Sequence, residues 1–422
     1  MEYTIVRKKA GLVVLVIFLF AIKSFSQNSL DYYLKEAHDN NPIIKENLAI
    51  GEKAGIQQSI INAEYLKPKV YATGDINYSP LVPNKDDPNA IGYDVAITDG
   101  ALYSALLNIQ QPVFTKSKRE ILNEQAKISG ESGVDKAKLT SHQLERDVID
   151  QYILSYQSQN QMKFVNDVKD QLLRQKAIIE SLAASGIYKK SDILLIDIEI
   201  QNQVTELGNL QAIFYRNIYA LNDLCGLSGN ADVKLTAPQI ELKNDEAQSR
   251  FLTRFRLDSL QEVYNLQVAN LKYKPQINIY GSTGVKAIEF SGIQRKFGVG
   301  LGLTMAIPIY DGHQKEYMQQ QSAINLKVIG NYQQSFIVQK TNRQMAILSD
   351  LTIMEMKINM IRSQLKNYEK LIDLYKTELQ TGEIQIINLM NTIRYYTSTQ
   401  HELTIGETKR MLIINENNYY SW

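Results

Sequence analysis

Between Phe297 and Ile309 every odd position carries a large apolar side chain, while the even positions carry Gly, Gly, Gly, Thr, Ala and Pro. A period of two predicts a strand with unlike faces, one tall and apolar, the other nearly bare. Three further stretches share the alternation. Val70, Ala72, Ile76 and Tyr78 oppose Thr73, Asp75 and Asn77. Tyr103, Ala105, Leu107, Ile109 and Val113 oppose Ser104, Asn108 and Gln110, and Ile277, Ile279 and Val285 oppose Gln276, Asn278 and Ser282. Strands are therefore predicted over residues 66–79, 101–113, 273–286 and 296–309. Elsewhere the period becomes helical. Leu144, Val148, Tyr152 and Tyr156 recur every four residues, as one buried helix face requires.

Prolines punctuate the pattern. None lies between Pro112 and Pro238, and none follows Pro308. Proline costs about 3 kcal/mol inside a helix, so these stretches predict long helices, from Thr115 to near Ala184 and from Gln314 to near Gln380. The first, weakened by Gly130 and Gly133, is a rod of about 100 Å at 1.5 Å per residue. Both rods break alike, at ASGIYKKSDILL (Ala184–Leu195) and QTGEIQIINLMN (Gln380–Asn391). In each a hydroxyl residue precedes Gly (Gly186, Gly382), and a polar residue, Asp192 or Asn388, lies six further on. Glycine suits the left-handed residue that ends a helix, and Ser191 or Asp192 can cap the next one. Both breaks read as helix–turn–helix hairpins.

The two halves align. LKPKVYATGDINY (Leu66–Tyr78) is similar to YKPQINIYGSTGV (Tyr273–Val285), and QPVFTKSKRE (Gln111–Glu120) to IPIYDGHQKE (Ile307–Glu316). Gly186 and Gly382 are separated by the same interval as Pro112 and Pro308. Each half reads helix, strand, strand, long helix, turn, helix. The predicted organisation is a first repeat over 27–225, a polar linker over 226–245 containing Pro238, and a second repeat over 246–422.

Residues 1–26 read as a secretory signal. Arg7, Lys8 and Lys9 precede a short apolar run, Ala10 to Ile22, and small residues at Ser24 and Ser26 place cleavage near Ser26. That run is short of the roughly 20 residues that span a bilayer. The balance of 46 Lys and Arg against 45 Asp and Glu gives no electrostatic case for nucleic acid. Cys225, the only cysteine, excludes an internal disulfide and a thiolate metal cluster. The four histidines show no metal-ligand spacing, and no cofactor is implied. An enzyme is disfavoured: no nucleophile sits with a base, and Gly298, Gly300 and Gly302 lie within a strand rather than in a strand-to-helix phosphate loop.

Strands of about ten residues, apolar on one face and polar or small on the other, are the pattern of a transmembrane β-barrel. A secreted chain with only two such hairpins, each between far longer helices, favours this over a soluble sandwich. Four strands cannot close alone, and open edges in lipid leave unpaired backbone groups at several kcal/mol each. Closure by three copies gives twelve strands, an even number wide enough for a pore. The expected fold is an α+β membrane protein: a trimeric 12-stranded barrel, four strands per protomer, continued by a long α-helical coiled-coil tunnel, with an internal two-fold repeat. Phe297, Val299, Leu301, Leu303, Met305 and Ile307 are expected to face lipid. Ser79–Gly100 is expected to be the long external loop and Ala287–Arg295 the short one. Tyr78, Tyr93, Tyr103, Tyr280 and Tyr310 are placed near strand ends, where aromatic girdles sit.

The order of signal segment, SLDYYLKEAHDNNPIIKEN (Ser29–Asn47), KP-strand, strand-P-[FY], long helix, G-x5-[DN] and then the repeat resembles the TolC-like outer-membrane efflux proteins over essentially the whole mature chain. The resemblance implies a homotrimer in the outer membrane with its helical tunnel in the periplasm, docked through a periplasmic adaptor on an inner-membrane transporter. Such a duct passively conducts drugs, metals, small molecules or polypeptides. It also implies that the two glycine breaks form the periplasmic tip, with Gly186, Ser191, Asp192, Gly382, Glu383, Gln385, Asn388 and Asn391 as constriction candidates. Where relatives carry two aspartates in the second turn, this chain has Asn388 and Asn391, and where they carry a latching arginine it has Ile384. An amide ring concentrates cations much less than a carboxylate ring, so weak divalent-cation block is expected. The alternative is a periplasmic coiled-coil structural or adaptor protein without a pore.

Overall fold

The computed structural model describes residues 29–79, 100–229, 231–243 and 249–422. The signal segment, the interior of the Ser79–Gly100 loop with Tyr93, and residues 230 and 244–248 of the linker lie outside the described residues. In chain order the elements are α1 (Leu30–Asn40), α2 (Pro42–Leu66), β1 (Lys69–Ser79), β2 (Gly100–Val113), α3 (Lys116–Ala184) and α4 (Lys190–Cys225). They continue with α5 (Thr253–Asn270), β3 (Gln276–Ala287), β4 (Phe297–Ala306), α6 (Gln314–Thr381) and α7 (Ile386–Tyr420). The chain divides into two compact units. One takes Glu46–Lys136 and Leu252–Gln334, the other the described parts of Met1–Lys45 with Ala137–Phe251 and Ser335–Trp422. No helix among the described residues is long and apolar enough to cross a membrane.

The first unit holds all four strands in one antiparallel sheet of order β1-β2-β3-β4. Its register aligns like with like. Val70, Ile109, Gly281 and Leu301 form one row across the sheet, and Ala72, Leu107, Thr283 and Val299 another. The intervening row is Tyr71, Asn108, Ser282 and Gly300. Two bare positions of β4 serve their neighbours, whereas Gly298 faces open space: a Cβ on Gly302 would lie 2.4 Å from the Tyr280 ring, and one on Gly300 3.0 Å from Ser282 Oγ.

Three strands, β1, β3 and β4, are shorter than the alternation suggests at the ends joined to helices, while β2 ends at Val113 as predicted. β1 begins at Lys69 rather than residue 66, because α2 keeps helical geometry through Leu66, and Pro68 intervenes. β3 begins at Gln276 rather than residue 273, since Leu271–Tyr273 forms a 3-10 turn before Pro275. β4 ends at Ala306 rather than residue 309, because the partner of Ala306 is Gln276, the first paired residue of β3. Pro275, next in line, has no N–H to extend the ladder.

Beyond the sheet, α2 packs on α3 through the glycines that weakened the helix pattern. A Cβ on Gly130 would sit 2.6 Å from the Ala54 Cβ, and one on Gly133 2.7 Å from Ile50. Close approach of two helices, not a break, explains both.

The second unit is helical. Leu144, Val148 and Tyr152 are buried along α3, with Tyr33, Phe214, Ile218, Leu221 and Cys225. The described part of the polar linker is packed into this core. Ala231 and Leu235 are buried in it, the Tyr152 hydroxyl donates to Thr236 O at 2.8 Å, and the Gln159 side chain bonds both Leu235 N and O. An unpaired backbone run over apolar helices requires such partners. The Cys225 thiol donates to Tyr33 O at 3.3 Å, and burial pushes its pKa up to about 12, so it is inert. His142 lies between aromatic rings, 4.9 Å from Tyr419 and 4.3 Å from Trp422.

Candidate functional site

Two features concentrate the unusual chemistry, one in each unit. In the helical unit they are the hairpin turns. α3 ends at Ala184 and Gly186 adopts φ +80°; α6 ends at Thr381 and Gly382 adopts φ +77°. Each turn closes with the same pair of backbone bonds, Gly186 N to Ala183 O and Ile187 N to Leu182 O, then Gly382 N to Leu379 O and Glu383 N to Glu378 O. This is the left-handed helix stop that the glycines predict.

The restarts differ. Asp192 accepts from Lys189 N at 2.8 Å and so secures the first turn of α4. Ser191, the other capping candidate, is exposed within that turn and is not the cap, because the capping position falls at Lys189. At α7 the side chain of the capping residue Gln385 does not cap the helix; Asn388 N donates to Gln385 O at 3.1 Å. Glu383, Gln385, Asn388 and Asn391 are all exposed. Asn388 and Asn391 share one side of α7, since Ile386, Leu389, Met390 and Ile393 take the buried side.

The two turns meet. Leu172, Ile179 and Ile196 pack with Leu379, Ile384, Ile386 and Leu389 in one cluster. The Tyr188 hydroxyl lies 2.9 Å from Leu379 O and 3.1 Å from Ile384 O, and donates to this carbonyl pair. Ile384 is thus held by its carbonyl and buried by its side chain. Further along, Glu199, 3% exposed, accepts from Arg394 Nε at 2.7 Å and from Gln203 Nε2 at 3.0 Å. Sequence reasoning missed Tyr188, Glu199 and Arg394. Glu199 had left a signal, because it falls in the buried row Ile196, Gln203 and Leu210. Tyr188 left none.

In the sheet-bearing unit the feature is the apolar face. Phe297, Val299, Leu301, Leu303, Met305 and Ile307 are all exposed, Leu301 at 85%, and Val70, Ile76, Leu107, Ile109 and Ile279 extend the surface. The charged residues of the four strands are Lys69, Asp75 and Lys286, and the register puts all three on the opposite face. There Ser104 donates to Asp75 at 3.2 Å and Asn108 to Thr73 at 2.9 Å. An apolar surface of this extent is foreign to a soluble monomer. Tyr78 and Tyr310 are exposed near strand ends as expected, and Phe114, 87% exposed, joins them unpredicted. Tyr103, near the start of β2, also lies by a strand end and packs edge-on against Phe290, centroids 5.4 Å apart, whereas Tyr280 lies inside β3 on the polar face.

No protein-family profile and no curated protein matches the sequence. Solved structures do. The channel protein CusC matches with a TM-score of 0.71 at 14% identity, over 93% of this chain and 91% of that one. The outer-membrane protein VceC of Vibrio cholerae matches with a TM-score of 0.70 at 13% identity, over 93% and 96%. The open state of the outer-membrane channel MtrE of Neisseria gonorrhoeae matches with a TM-score of 0.70 at 13% identity, over 93% and 88%. The chain has the fold of the TolC-like outer-membrane channels.

Proposed function

We propose that the chain is one protomer of a trimeric outer-membrane duct, its sheet one third of a twelve-stranded barrel and its long helices one third of a periplasmic tunnel. The reading rests above all on the sheet. It has one face without a charge, one polar face with three, and two open edges. Such a sheet suits lipid on one side and water on the other, and only pairing of its edges with further copies removes the unpaired backbone groups. Phe297, Val299, Leu301, Leu303, Met305 and Ile307 then face lipid, and the Gly and Thr positions of β4 face the lumen. A pore-less coiled-coil protein would have no use for that face.

The partners that the resemblance implies are a periplasmic adaptor and an inner-membrane transporter, with cargo passing passively. The turns at Gly186 and Gly382 form the periplasmic tip, and Asn388 and Asn391 line its constriction. Leu301→Arg places a charge near mid-membrane, at roughly 2–4 kcal/mol per copy. The variant should be lost from the outer-membrane fraction, and native mass spectrometry of wild-type detergent extracts should give the trimer. Normal trimer assembly by the variant would mean that the faces are reversed.

A further inference from the structure

Within the helical unit, α3, α4 and α7 border a cleft of about 300 Å³ beside the Glu199–Arg394 pair. Its polar wall is built on α4. Glu199 is fully engaged: one carboxylate oxygen accepts from Gln203 Nε2 at 3.0 Å, the other from Arg394 Nε at 2.7 Å and Asn202 Nδ2 at 3.4 Å. The first of these bonds fixes the Gln203 amide, because turning it over would set its oxygen against a carboxylate oxygen, and neither can donate. Gln203 is 7% exposed and lines the cleft, and among the described residues its Oε1 has no hydrogen-bond donor. Buried acceptors are nearly always paired, so this one calls for a donor from outside the chain.

The charges around the cleft select the donor's sign. Arg394 offsets Glu199, whereas Glu206, one turn beyond Gln203 on the same wall, is exposed and forms no ion pair among the described residues. Facing it on α7, His401 Nδ1 accepts from Gln161 Nε2 at 3.0 Å, which leaves the ring proton on Nε2. One carboxylate is therefore unbalanced. The remaining wall is apolar, made by Phe164 and Val165 of α3 and Leu210 of α4. An apolar wall with a few convergent polar groups is the composition of a small-molecule site, and the face of Phe164 adds attraction for a cation.

We infer that this cleft binds a small organic ammonium ion with an apolar body. Its N–H donates to Gln203 Oε1, its charge lies towards Glu206, and its hydrocarbon part packs on Phe164, Val165 and Leu210. The site is formed by one protomer and goes beyond the duct reading, which neither requires it nor fails with it.

The test uses the purified full chain in neutral detergent. Phenethylammonium chloride, 2-phenylethanol and sodium phenylacetate are titrated calorimetrically, with heats into empty micelles subtracted. Phenethylammonium should bind saturably, 2-phenylethanol about fivefold more weakly, and phenylacetate not at all. Glu206→Gln, at an exposed position, should weaken phenethylammonium about fivefold and leave 2-phenylethanol unchanged. Gln203→Leu removes the acceptor and should weaken both about tenfold. If Gln203→Leu does not fold, Glu206→Gln carries the test. No saturable binding of phenethylammonium by folded wild-type protein would mean that water serves Oε1 and would overturn the inference. Equal binding of all three probes, or binding unchanged in the variants that fold, would do the same. A trimer in native mass spectrometry that binds no amine sinks this site and leaves the duct reading standing.

Discussion

The two hairpin turns share a sequence spacing and a backbone geometry, yet they are held in different ways. The first is self-sufficient: Asp192 closes the start of α4, and Gly186 has nothing within 4 Å of where a Cβ would be. The second leans on the first. Gln385 makes no side-chain cap, the carbonyls of Leu379 and Ile384 take their hydrogen bond from Tyr188, and a Cβ on Gly382 would lie 2.9 Å from Ile187. Equal motifs therefore need not be equal parts: one turn is capped from within, and its twin is held by a neighbour.

That difference can be broken in graded steps. Leu389→Ala empties a fully buried position in the shared cluster and should cost about 2–5 kcal/mol, lowering the melting temperature in detergent; an unchanged melt would mean that the turns do not share a core. Gly382→Ala comes next. Both glycines have positive φ, so either alanine costs about 1–2 kcal/mol, but at Gly382 the clash with Ile187 adds to it. Gly382→Ala should therefore melt lower than Gly186→Ala, and the reverse order would refute the asymmetry.

Tyr188→Phe removes only the bridging hydroxyl, at about 1–2 kcal/mol. Hydrogen exchange should accelerate in the second turn, around residues 379–388, and little in the first. Equal acceleration of both turns would show that Tyr188 does not act selectively. The smallest effect belongs to Asn388→Ala, an exposed change expected within about 0.5 kcal/mol of wild type. Single-channel recordings should show weak divalent block before and after it. Strong block abolished by Asn388→Ala would overturn the expectation that an amide ring concentrates cations weakly.

Much of the architecture was legible because it is periodic. The alternation from Phe297 to Ile309 set both faces of β4, and the proline-free stretches located α3 and α6 to within a few residues. Gly186, Gly382 and Asp192 were readable from local helix-stop and capping chemistry. What escaped was long-range. Tyr188 meets its carbonyl partners 191 and 196 residues away, and Arg394 reaches Glu199 across 195. No local pattern encodes such pairs. The end of β4 was misplaced because register, set by Pro275 on a neighbouring strand, decides where pairing stops, and the starts of β1 and β3 because helical turns run up to the prolines before them. The polar composition of the linker gave no sign that the helices bury Ala231 and Leu235.

By itself the sequence determined the elements, their order and which face of each is apolar, since dihedral preference and side-chain period act within a few residues. Only the tertiary structure decided which turn supports the other and which glycines mark close packing. Those outcomes depend on atoms brought together from distant parts of the chain.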